Sequence, residues 1–105
     1  MTIRERSADG RYACPCCGYA SLSDSGGFDI CSICFWEDDG QDDHNADVVR
    51  GGPNGSDSLT DARRNYLSIG ACRKKDLAHV RPREANQMER LREYVLVGDA
   101  VRRVR

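Results

Sequence analysis

Large apolar side chains are scarce. Leu, Ile, Val and Phe supply 19 of the 105 residues, under the one-fifth level associated with chains that bury too little to fold. No apolar run approaches the roughly 18 residues of a membrane helix, which excludes a spanning segment of that kind. Charge of one sign is lacking too, since 16 basic against 17 acidic residues leave a net charge of -1. Half of the disorder signature is thus missing. No apolar stretch of export-signal length lies near the start, so a cytoplasmic location is expected. A core this thin supports one small domain, and only with help from something other than hydrophobic burial.

Six cysteines are what the chain has instead. In a reducing compartment, closely spaced cysteines are metal ligands more often than disulfide partners. Cys14 and Cys17 enclose Pro15 and Cys16, and Cys31 and Cys34 enclose Ser32 and Ile33, with thirteen residues between the pairs. Each Cys-x-x-Cys can turn two thiolates toward one ion, and two such units at this separation complete a tetrahedral set. Tyr19–Leu22 and Phe28–Ile30 flank the turn-rich Ser23–Gly27, predicting a β-hairpin that returns the second pair beside the first. The expected metal ligands are Cys14, Cys17, Cys31 and Cys34. Zinc is the default ion, with iron left open because a rubredoxin-like site uses the same donors. Four protein ligands leave no open position, so the site reads as structural, and no enzymatic activity is expected.

Cys16 and Cys72 are further thiols. A small buried thiol is the plain reading of Cys72, while a redox pair of Cys16 and Cys72, or a second metal site using them with His44 or His79, is the sharper one. A thioredoxin-type role lacks its βαβ setting.

Several separated motifs bear a family likeness. Tyr12-Ala13-Cys14-Pro15-Cys16-Cys17-Gly18-Tyr19, the run Gly27–Asp42 around Cys31 and Cys34, Gly52-Pro53-Asn54-Gly55 and Leu59–Tyr66 agree in order and spacing with one pattern. The chain resembles the cysteine-rich CPCC family of small bacterial proteins over roughly residues 12–83. The resemblance implies a metal-binding cysteine domain and adds no reaction.

Charge splits the chain. Residues 1–57 carry 4 basic and 11 acidic side chains, residues 58–105 carry 12 and 6. The densest acidic run, Glu37, Asp38, Asp39, Asp42 and Asp43, is a candidate partner surface; its spacing does not fit an EF-hand calcium loop. It can equally pair with arginines of the second half, such as Arg63 and Arg64, and this intramolecular use is the expected one. Phe35 and Trp36, directly after the last ligand, are expected to be buried over the metal site near Leu59 and Tyr66.

The fold class expected is small α+β, a zinc-ribbon hairpin module followed by two α-helices. Residues 1–11 read as a flexible lead-in, 12–82 as the ribbon domain with one helix, and 83–105 as an amphipathic helix with a basic tail. Ser58 to Asp61 resembles a capping box and Gly70 a C-terminal cap. Pro82 suits a helix start, and Ala85, Met88, Leu91 and Val95 fall near helical spacing. The function expected is metal-dependent protein contact. Nucleic-acid binding through the basic half is the alternative, weakened because the cysteine half is acidic where phosphate binding needs cations. A thiol redox role for Cys16 and Cys72 is the second alternative.

Overall fold

The Ser58 hydroxyl accepts the Asp61 N–H at 3.0 Å, and the Asp61 carboxylate accepts the Ser58 N–H at 3.0 Å. This reciprocal cap satisfies donors that a helix start leaves free, and it opens α1, Leu59–Ile69. Gly70 ends it in a left-handed conformation, φ 89°, donating its N–H to the Tyr66 carbonyl. Both ends lie where the sequence places them. The computed structural model describes residues 2–105. Besides α1 it contains two antiparallel two-stranded sheets, β1 (Tyr12–Ala13) with β2 (Ala20–Leu22), and β3 (Tyr94–Val97) with β4 (Ala100–Arg103). Short 3-10 turns occupy Asp43–Asn45, Gly52–Asn54, Lys74–Asp76 and Pro82–Gln87.

The α+β class holds, but the expected hairpin between residues 19–22 and 28–30 does not form. Each cysteine pair closes its own small loop instead. Around the first, Cys14 N–H donates to the Tyr19 carbonyl and Gly18 N–H to the Cys14 carbonyl, both at 2.8 Å. Around the second, Cys31 N–H donates to Trp36 at 2.9 Å and Phe35 N–H to Cys31 at 2.8 Å. The two loops are the same turn used twice. Local closure wins because each five-residue turn satisfies its own backbone groups without a longer pairing.

The second expected helix is also absent. Residues 82–87 make only a 3-10 segment, and the chain then runs extended into β3 and β4. Two features override the apolar spacing. Val95, Val97 and Val101 are β-branched and favour a pleated backbone, and Gly98-Asp99 is a two-residue hairpin turn, with Gly98 at φ 61°. Residues 89–92 lie along the first cysteine loop: Ala20 N–H donates to the Glu89 carbonyl at 2.9 Å, and Leu91 and Arg92 N–H donate to Gly18 at 2.8 and 3.1 Å.

Residues 2–11 are not a free lead-in. Ala13 N–H donates to Glu5, Ser7 N–H to Arg11, and Arg6 bridges Tyr12. A polar segment packs here because its polar groups are paired. Arg4, its side chain 5% exposed, donates to Asp38 and Asp42. The apolar core sits between these parts and joins the cysteines to Leu22, Ile33, Trp36, Leu59 and Ala62. Half of its buried members are cysteines, which is how a chain short of leucine and valine fills an interior.

Candidate metal centre

The two loops put four thiols into one cluster. Cys14, Cys17, Cys31 and Cys34 are buried, and their sulfurs all lie within 4.8 Å of one another. The Cys14–Cys34 and Cys17–Cys31 Sγ separations are both 3.6 Å. Disulfide sulfurs would sit at about 2.05 Å, so these are separate thiols. A tetrahedron with metal–sulfur bonds of about 2.3 Å has sulfur–sulfur edges of about 3.8 Å. Two of the six edges match that size and the others stay within 4.8 Å, so the donor set fits a soft tetrahedral cation in chemistry and in approximate dimensions. Four cysteines are therefore positioned to bind a metal ion, in keeping with zinc.

Position five of each loop shows why the turns close. Gly18 takes φ 87° and Phe35 takes φ 71°. The left-handed conformation is open to glycine and costs any other L-residue about 1–2 kcal/mol. Phe35 tolerates it with its ring stacked on His79, centroids 5.0 Å apart. Trp36 behind it is buried in the core with Leu59, while Phe35 and Tyr66 pack partly buried against the same cluster.

Electrostatics inside the cluster are uneven. Burial pushes the Cys14 thiol up and the Cys17 and Cys34 thiols well up. Burial acts on Cys31 in the same sense, but hydrogen bonds from the other three cysteines and from Ser21 hold it well below the usual thiol range. Ser21 Oγ donates to Cys31 Sγ at 3.0 Å, and Ile33 N–H donates to the same sulfur at 3.3 Å. A cation placed among four such sulfurs favours the thiolate form of all of them.

Cys16 and Cys72 are buried in the same core but stand outside the four-thiol group. Burial raises the Cys72 thiol, whose sulfur lies 3.6 Å from Asp76 Oδ2. Cys72 N–H donates to the Cys34 carbonyl at 2.8 Å, so this residue supports the second loop through its backbone.

Most of the acidic run is turned inward. Asp38, Asp39 and Asp42 are buried, and their carboxylates are occupied internally. Asp42 receives the Arg92 guanidinium through two bonds, 2.5 and 3.1 Å, and Arg4 at 2.8 Å. Asp43, more exposed, accepts Arg63 at 2.6 Å and Arg103 at 2.8 Å. The expected pairing with Arg63 is present, whereas Arg64 pairs with Asp61 on its own helix. Asp38 also accepts the Gly26 N–H at 2.7 Å, tying the loop between the cysteine pairs to the same network. Glu37 joins the structure through its backbone, its N–H and carbonyl both bonded to Asn54.

Three side chains hold the site from outside the cluster, and of these Arg92 and Ser21 escaped the sequence reading. Arg63 Nε donates to the Pro15 carbonyl at 2.8 Å, inside the first cysteine loop. Arg92, fully buried, brings its backbone against Gly18 and its side chain against Asp42. Ser21 reaches Cys31. A buried arginine has no local sequence mark, because arginine usually sits in solvent, and Ser21 is one serine among several. The Tyr94 hydroxyl links two of these arginines, accepting Arg63 Nη2 at 2.9 Å and Arg92 Nη1 at 3.2 Å.

The model of the family described as Cysteine-rich CPCC matches residues 12–87. No curated protein and no solved structure matches the chain.

Proposed function

The chain belongs to the cysteine-rich CPCC family, and from that premise we propose that it is a small non-enzymatic protein in which one structural zinc ion, held by Cys14, Cys17, Cys31 and Cys34, organises a surface for protein contacts. The observation that carries this reading is the burial of four thiols within 4.8 Å of one another, two of their separations at tetrahedral edge length. Bound zinc supplies charge and geometry to the four thiolates and thereby folding free energy. The chain's own residues do the rest. The two turns aim the sulfurs, Arg63 and Arg92 fix the first loop from outside, and Cys72 and Arg81 fix the second by donating to the Cys34 and Ser32 carbonyls. Four cysteine donors fill a tetrahedral shell, and a shell without a free position holds a fold more readily than it activates water. Iron in the same four sulfurs is the competing occupant, distinguished by colour and redox behaviour.

The reading favours protein over nucleic acid because part of the basic charge is spent internally. Arg63, Arg92 and Arg103 of the basic half are bound to Asp42, Asp43 and Glu5. Each such arginine is lost to phosphate binding. The cytoplasm is the compartment proposed, where thiols stay reduced and available to metal. Among the described residues no helix is long and apolar enough to cross a membrane.

Elemental analysis of protein purified without added metal tests the occupant, with one zinc per chain expected. Fluorescence anisotropy with generic RNA and duplex DNA at low salt tests the competing partner class. Salt-dependent binding there would replace protein contact with nucleic-acid contact.

A further inference from the structure

The four sulfurs are not equivalent in their surroundings. Cys31 Sγ accepts a hydroxyl proton from Ser21 at 3.0 Å and a backbone proton from Ile33 at 3.3 Å. Ser21 sits in β2, its carbonyl held by Arg11 Nη1 at 3.3 Å, so the hydroxyl is delivered from a fixed backbone. The same residue lines a cleft of ≈ 460 Å³ together with Asp9, Arg11, Ile30, Glu84 and Met88. Cys31 itself is fully buried and Ser21 is 9% exposed. Ser21 thus lines the cleft and also touches a cluster sulfur.

Resting on the zinc reading, we infer that Ser21 is a positioning residue for the metal centre, whose hydroxyl tunes the Cys31 thiolate and guards it from the cleft. A proton shared with a thiolate withdraws electron density from sulfur, which makes it a weaker nucleophile and a harder donor to the metal. The cleft reaches Ser21 but not the fully buried Cys31, so Ser21 stands between the two. Loss of the hydroxyl leaves a more basic sulfur behind a thinner wall. Outer partners of metal ligands typically change affinity by roughly 10- to 100-fold when removed, which sets the scale expected here.

The test uses the full chain loaded with Co²⁺ as wild type, S21A and S21T. Three readouts apply: the energy of the sulfur-to-cobalt charge-transfer band, the rate of Cys31 carbamidomethylation by iodoacetamide followed by peptide mass spectrometry, and Co²⁺ affinity by chelator competition. In S21A the band moves to lower energy and Cys31 is labelled roughly 10-fold faster, while affinity falls roughly 10-fold because the sulfur is no longer held in position by its hydrogen bond. S21T keeps the hydroxyl and stays near wild type. In wild type, Cys31 is labelled no faster than the other three ligands, a result that stands even if S21A fails to fold. An S21A protein with the wild-type band and labelling rate overturns the inference, as does an S21T protein that behaves like S21A, or a wild type in which Cys31 is labelled first. Absence of thiolate–cobalt charge transfer in the wild type overturns the zinc reading and the serine role with it, so the two failures are separable.

Discussion

The Gly18 carbonyl accepts two backbone N–H groups, from Leu91 at 2.8 Å and Arg92 at 3.1 Å, and a Cβ at position 18 would lie 2.0 Å from the Arg92 carbonyl oxygen. The first cysteine loop is therefore closed by a segment more than seventy residues downstream. Glycine is required there twice over, for φ 87° and for the close approach.

Gly18→Ala accordingly carries the left-handed penalty of about 1–2 kcal/mol and a backbone clash in addition. We expect a loss of at least about 2 kcal/mol in urea unfolding of the metal-loaded protein. Gly98→Ala is the control, because nothing lies within 4 Å of a Cβ there. It should cost only the conformational term, and equal losses at the two positions would contradict the packing argument.

Arg92 is fully buried between Asp42 and Glu5. Removing one member of a buried ion pair leaves the other uncompensated, at a cost of about 3–5 kcal/mol. Arg92→Ala should fall in that range, measured by chemical denaturation. The pair with Asp42 joins the acidic half to the basic one, so chain termination after Gln87 removes β3, β4 and Arg92 together. Such a truncated protein should not unfold cooperatively, although it retains all four candidate ligands and the whole family-matched region. A cooperative transition from it would show that the C-terminal hairpin is dispensable.

Asp43 gives the pH dependence. Burial alone would raise its carboxyl, but Arg103, Arg63 and the Tyr94 hydroxyl hold it down at about 2 against an ordinary 3.8. A carboxylate with a depressed folded value stabilises fully above its unfolded value and loses that contribution as pH falls toward the folded one. The window is therefore from about pH 4 down to about pH 2. Asp43→Asn should be less stable than wild type at neutral pH and should show a shallower decline across that window, compared by thermal melts at matched ionic strength. Parallel curves for the two proteins would remove Asp43 from the account.

What was legible in the sequence was local. Two Cys-x-x-Cys units and the Ser58–Asp61 cap act over three or four residues, and these positions are where the sequence places them. The C-terminal hairpin was misread because apolar residues at three- and four-residue intervals also occur where a strand follows an extended segment. The better signals, the valines and the Gly98-Asp99 turn, were present. The cross-chain work of Arg4, Arg92 and Ser21 depends on contacts 10 to 87 residues apart. No local pattern marks those partners, since a charged side chain is buried only when a distant group neutralises it. The internal use of the acidic run was expected, but its main partners, Arg4 and Arg92, were hidden for that same reason.

Metal titration into reduced, chelator-treated protein, followed by the emission of Trp36, tests the central claim most directly. Trp36 is the single tryptophan and is buried in the cysteine core, so it reports whether that core exists. The account predicts red-shifted emission without metal, a blue shift that saturates at one zinc per chain, and no such shift for Cys34→Ser. A metal-free wild type with buried tryptophan and a cooperative melt, matched by Cys34→Ser, would contradict it.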